Sequence, residues 1–476
     1  MATYYVSAPG TTLGGAGTVG DPWTHLHYAM AQLRAGDTLK MNAGTYTASM
    51  IWSSLNAHGG WHTGTSVAPI TVEPLSYTAD TTRGVPAGTT AVSIQPTGVA
   101  TCINMAYGME YWRFRGITLD GVNLTNHNVA APSTTQTFLV SLNNGAANHT
   151  FRNIAFKDWK LVGIEFANSG QSQKLHNNVI EYCSISNANS GANDNGEITH
   201  CLYLRTGGNV IQYNDITNGR ECGIQFFASN GAGYAINDNT VRFNTFHDFP
   251  SYDDNNATIL FSLNCNRNKI YGNLIETNPG KIAIDLRGGS GISGAADGNI
   301  IAYNTIANCL TGISISTSVS GFTNTIVKKN ISYNNTTNYV DNGTGTVFTG
   351  NSTDGTNPVF TGADDFTLSA GSPAGLRAES TLVGSGTDDF DITGATRDAT
   401  NPSLGAYEYD AATTPEPPIN VYPNPGGYAI DADTAMVLAG LSVTQAAGLT
   451  TECWLSLEST NATWTAVDTS GGATSN

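Results

Sequence analysis

The chain has 476 residues, of which 40% are hydrophobic and only 12% charged, with a formal net charge of −17. That apolar share is enough for a large core and excludes global disorder. The negative balance excludes non-specific binding to nucleic acid or to an anionic membrane surface, and no apolar run is long enough to insert in a bilayer.

Gly, Asn and Thr fill the places that charges usually take, a mixture that suits short strands joined by tight turns. The opening stretch "MATYYVSAPG" has neither a basic region nor an apolar one. The expectation is an extracellular or virion-associated protein whose leader has been removed, or whose export does not need one. Seven cysteines without CxxC or Cys/His spacing are expected to be small buried hydrophobes, not a zinc site or a disulfide framework.

The first element is an N-terminal strand and helix within residues 1–60. In "DPWTHLHYAMAQLRAGDTLKMNAGTY" (21–46), Leu26, Ala29, Met30 and Leu33 fall at i, i+3, i+4 and i+7. That spacing predicts a helix with one apolar stripe, suited to closing the end of a β-structure.

From residue 177 a phrase recurs: "NNVIEYCSI" (177–185), "NVIQYNDI" (209–216), "NTVRFNTF" (239–246), "NKIYGNLI" (268–275) and "NIIAYNTI" (299–306), with a looser "NTIVKKNI" (324–331). A period of about thirty residues signals a solenoid. Each copy is followed by a second alternating run: "CLYLR", "GIQFF", "TILFS", "AIDLR", "GISIS", with "GIEF" from an earlier copy. No helical period intervenes, so each repeat offers two or three short strands that bury their apolar face only when stacked on neighbours. Asn214, Asn244, Asn273 and Asn304 are expected to form a ladder of side-chain amides along the axis. The solenoid is expected to run through residues 61–409, a Pro-rich linker to occupy 410–427, and a small β-rich appendage for attachment or homotrimer formation to fill 428–476.

On these passages, and on "DFTLSAGSPA" (365–374) and "TRDATNPSLGAYEY" (396–409), the chain resembles the right-handed parallel β-helix proteins of the pectate lyase-like superfamily. The resemblance implies an all-β solenoid with a capping helix. It leaves function open among lyases, hydrolases, adhesins and tailspikes.

Strand alternation then assigns an outer face. In the second runs the row Glu165, Tyr203, Gln225, Leu260, Asp285 and Ser314 points outward, as does the row Ala167, Arg205, Phe227, Ser262, Arg287 and Ser316 two positions later. The same alternation sends Gly163, Cys201, Gly223, Thr258, Ala283 and Gly312 outward, with Lys281 and Glu221 near that edge, and turns His200 inward. Tyr203, Arg205, Gln225, Phe227, Lys281, Asp285 and Arg287 would share about four coils, ~15 Å of axis, room for a few sugar units. Carboxylates at Glu197, Glu221 and Asp254 fall on consecutive coils, and hard oxygen donors of this kind suit Ca²⁺; Asx-turn chemistry is the structural alternative.

No GxSxG, P-loop or GxGxxG-helix is present, so serine hydrolysis and nucleotide chemistry drop out. What remains is polysaccharide chemistry. In β-elimination on a uronate polymer, Arg205 would clamp the carboxylate, and Lys281 or Arg287 would take the proton. Tyr203 is a further candidate base, Glu165, Gln225, Phe227 and Asp285 would bind sugar, and Ca²⁺ would sit on the acidic trio. That set of Ca²⁺, Lys and Arg resembles the lyases of the family in residue types. The alternatives are an inverting glycoside hydrolase using Glu197 with Glu221 or Glu221 with Asp254, and a glycan-binding tail or adhesin protein without catalysis.

Overall fold

The structure is a computed structural model. It describes residues 1–9, 11, 13–51, 62–81, 91–105, 108–124, 138–143, 145–159, 161–167, 176–186, 200–219, 221–227, 236–249, 257–261, 264–276, 280–287, 296–316, 322–352, 358–361, 366–369, 372–373, 376, 390–398, 402–409, 466–467 and 473–474. Two compact units divide at Pro418/Ile419, within the Pro-rich stretch. In the second unit the described elements are Ala466–Val467 and Ala473–Thr474, paired antiparallel.

The first unit is a parallel β-helix. After the first strand, Thr3–Val6, three long sheets take strands in rotation, so each turn of chain contributes one strand to each, while Ala296–Asp297 and Phe322–Thr323 form a separate parallel pair. The first sheet has twelve strands, from Thr3–Val6 to Val347–Thr349. The second has ten, from Gly44–Tyr46 to Ile331–Tyr333, and the third has ten, from Met50–Ile51 to Thr337–Asp341. One rung of each sheet is too short to bury anything alone, and stacking at ~4.8 Å turns the inward Ile, Leu, Val and Phe into one continuous core. Phe226 and Phe261 show the fit, with ring centroids 4.3 Å apart and planes 8° from parallel.

The helix forms as expected, over Leu26–Gln32, with Leu26, Ala29, Met30 and the capping Leu33 all buried. Its N-cap is His25, whose Nδ1 accepts from the Tyr28 amide at 3.2 Å. The six described cysteines are buried thiols outside any disulfide, and Cys453 lies outside the described residues.

The amide ladder is present, and it is doubled. Asn214, Asn244, Asn273, Asn304, Asn330 and Asn351 pass one Nδ2–H···Oδ1 bond to the next at 2.9–3.0 Å. Asn178, Asn209, Asn239, Asn268 and Asn299 do the same at 2.9–3.2 Å. Just before the first ladder each turn needs a left-handed residue. Tyr182, Tyr213, Phe243 and Tyr303 supply it at φ 52–58° and Lys329 at 59°, where glycine would be expected, and Gly272 and Gly350 supply it at 64° and 66°. Packing explains this choice: Tyr182 stacks on Tyr213 at 4.9 Å and Tyr213 on Phe243 at 5.2 Å, forming an outer aromatic spine. Phe366, Ile392 and Ala406, from the segment after the last rung, cover that spine.

Candidate functional site

The third sheet carries the expected outer row. Ser141, Glu165, Tyr203 and Gln225 are register partners on successive rungs, followed by Leu260, Asp285 and Ser314. Glu165 and Asp285 are therefore four rungs apart, ~19 Å at ~4.8 Å per rung, too far to serve one glycosidic bond as a carboxylate pair. Arg205, Phe227 and Arg287 follow in the next outward row, half-buried.

Two expectations about this face are corrected. First, Gly163, Cys201, Gly223, Thr258, Ala283 and Gly312 do not point outward. The strands bend at this second residue, which the ladder register skips. Cys201 and Ala283 belong to the main core, and a Cβ on Gly163 would come within 2.7 Å of the Cys201 carbonyl. The bend also takes the first residue of each strand out of the core. Cys222 and Ala257 cluster with outward Leu260 instead, and His200 lies flat against Tyr203 at 5.1 Å and 7°. Second, Lys281 is fully buried, with its Nζ donating to the Glu221 carbonyl at 2.8 Å, so it does not stand on the open face. Burial lowers its pKa and that of His200, which falls to about 3 with the Lys281 charge adding to the effect.

Each arginine of the face has a carboxylate. Arg287 Nε lies 2.6 Å from Asp285 Oδ2 on its own strand. Arg205 Nη1 lies 3.8 Å from Glu165 Oε1 on the preceding rung, a looser pair. Ser141 Oγ donates to Glu165 Oε2 at 3.3 Å, and Asn143 Nδ2 donates to that hydroxyl at 2.7 Å. Burial raises the pKa of both carboxyls, the neighbouring arginine opposing it in each case. The Tyr203 phenol is pushed up too, chiefly by burial, so it keeps its proton. Tyr203 also stacks on Phe227 at 5.6 Å, with the Arg205 guanidinium 5.9 Å from its ring centre. The result is an aromatic platform flanked by a guanidinium and a carboxyl.

Of the expected calcium trio, Glu197 and Asp254 lie outside the described residues. Glu221 is buried, with the Lys281 ammonium already on its main-chain oxygen, a poor neighbour for a second cation. Among the described residues no three His, Cys, Asp or Glu side chains gather as a metal site. Both proposed hydrolase pairs include one of the undescribed residues. His200 is buried, as expected, and its ring lies against Tyr203.

No protein-family profile and no curated protein matches the chain. Solved structures do. The crystal structure of pectate lyase Pel9A superposes with a TM-score of 0.57 at 14% identity, covering 86% of this chain and 97% of that one. A rhamnogalacturonan lyase (TM-score 0.47, 13% identity, covering 76% of this chain and 90% of that one) and a glycoside hydrolase (0.49, 10%, 74% and 96%) are more distant. At such identity the likeness is one of fold: the chain is a parallel β-helix that superposes on that of a pectate lyase.

Proposed function

We propose that the third-sheet face binds an acidic polysaccharide and cleaves it by β-elimination next to a uronate. The observation that carries this reading is the loose Glu165–Arg205 pair beside the Tyr203–Phe227 platform. A uronate carboxylate is a better bidentate partner for Arg205 than Glu165 is at 3.8 Å. Once it displaces Glu165, that buried carboxyl loses its counter-charge and its affinity for a proton rises. Glu165 then takes the proton from the carbon next to the uronate carboxyl, whose negative charge build-up Arg205 stabilises. The freed electron pair forms the C=C bond as the glycosidic C–O bond breaks. Tyr203, protonated and one rung away, gives its proton to the departing oxygen, and solvent returns the Glu165 proton to it.

The base is thus Glu165 and not Lys281 or Arg287, because the Lys281 ammonium is held on the Glu221 carbonyl and a guanidinium stays protonated. The fold shared with a protein named a pectate lyase is in keeping with the substrate class. Calcium takes no part in these steps, so excess EDTA is expected to leave the rate unchanged. A rate lost to EDTA and restored by Ca²⁺ would bring back Glu197, Glu221 and Asp254 as a metal site.

The test is a screen of alginate, polygalacturonate, glycosaminoglycans and neutral glucans by ultraviolet absorbance of the unsaturated product, with reducing ends measured in parallel. Glu165→Gln is expected to lower turnover by roughly 10²–10⁴-fold while leaving binding intact. Arg205→Ala is expected to weaken both. New reducing ends without the chromophore would make the protein a hydrolase, and binding without turnover an adhesin. Full activity in E165Q would remove Glu165 from the reaction.

A further inference from the structure

Glu165 is held from both sides along the axis. On the following rung stand its register partner Tyr203 and the Arg205 guanidinium, whose Nη1 is 3.8 Å from Glu165 Oε1. On the preceding rung its register partner is Ser141, 1% exposed, whose Oγ donates to Oε2 at 3.3 Å, the long end for a hydroxyl donor. That hydroxyl has one proton, and its direction is set from behind. Asn143 Nδ2 donates to Ser141 Oγ at 2.7 Å, so the oxygen accepts there and its own proton is left for Glu165. Asn143 is pinned in turn by its main-chain N–H, which donates to Met105 O at 2.8 Å.

The two oxygens of the carboxylate therefore have different tasks. We infer that Ser141 and Asn143 are positioning residues that tie down Glu165 Oε2 and leave Oε1, the oxygen beside Arg205, as the atom that takes the substrate proton. This rests on the assignment of Glu165 as the base and adds which oxygen acts and what aims it. The tie outlasts the transfer: with the proton on Oε1, Oε2 becomes the carbonyl oxygen of the acid and still accepts from Ser141. A hydroxyl donor favours the ionised carboxyl and so opposes burial, as Arg205 does. Once a uronate takes Arg205, Ser141 is the donor left to Oε2, and its bond has room to shorten. Among the described residues the other titratable groups on the flanking strands are Tyr203, His200 and Cys201, all held neutral by burial. On the side of Ser141 the next register partner is Asn104, which carries no charge.

The test follows the Glu165 carboxyl itself, by nuclear magnetic resonance of the full chain labelled at its glutamate carboxyl carbons, with Glu165→Gln identifying the signal. Ser141→Ala removes the donor. Asn143→Asp keeps the shape but turns the Ser141 proton towards the new carboxylate and away from Glu165. Both are expected to move the titration midpoint of Glu165 to higher pH. With polygalacturonate or alginate as substrate, Ser141→Ala is expected to lower kcat by ~10-fold with KM little changed. It is also expected to move the acid limb of the pH–rate profile upward, which a merely structural role would not do. An unmoved midpoint in both variants would overturn the tie, whatever happened to turnover. A moved midpoint with full turnover in Ser141→Ala would overturn the positioning role. No turnover of any acidic polymer by the unaltered chain would overturn Glu165 as the base, and with it the task of Oε1, while the midpoint still decided the tie.

Discussion

Asn273→Ala is expected to destabilise the β-helix unit by roughly 3–5 kcal/mol, taking ~1–3 kcal/mol for each buried polar group left without a partner. Asn273 is fully buried, and its amide closes five hydrogen bonds. Its Oδ1 accepts from the main-chain N–H and the Nδ2 of Asn244, both at 3.0 Å. Its Nδ2 donates to Asn304 Oδ1 and Val241 O at 3.0 Å and to Tyr271 O at 3.2 Å. Alanine strands these groups at a turn that water does not reach, and the ladder is cut near its middle. The measurement is the urea midpoint and slope, with exposed Asn123→Ala as a control near zero. A change under about 1 kcal/mol would mean that the ladder follows from the stacking of the strands and adds nothing to it.

That ladder was legible because its signal is chemical as well as periodic: one amide recurring at about thirty residues has little to do at a turn except bond to its own copies. The inward Ile, Leu and Phe pairs were legible for the same reason, since period two fixes a face. Alternation failed where the backbone bends. A single skipped pairing at Gly163 and its equivalents reverses every assignment before it, which put Cys201 on the wrong side. The Asp285–Arg287 pair could be read as neighbours on one strand, whereas Arg205 and Glu165 meet only across rungs. Tyr182, Tyr213 and Phe243 in left-handed turns had no local signal at all. Their conformation is held by stacking and by the segment after the last rung that covers them, tertiary contacts that override backbone preference.

The second large effect concerns acid. His149 and His200 are buried, and each is pushed down to about 3, first by burial. His149 Nδ1 accepts from the Trp112 amide at 3.2 Å, so protonation there would break a main-chain bond as well as charge the core. A histidine whose folded pKa is depressed binds fewer protons folded than unfolded between the two values. Its stabilisation is therefore complete above about pH 6.5, declines as pH falls, and is gone below about 3. Each such group contributes a slope of up to ~1.4 kcal/mol per pH unit in that window. Glu165, Asp285 and Glu408 act in the opposite sense: their raised values favour the folded state as pH falls through them. The two buried histidines supply the opposing slope, which begins at about pH 6.5. Melting curves there are expected to fall steeply for the unaltered chain and to flatten in His149→Gln/His200→Gln, where an amide can still accept the Trp112 bond but cannot take a proton in this range. Parallel curves for the two proteins would mean that both imidazoles already carry their protons in the folded state, and that the rungs around them admit water.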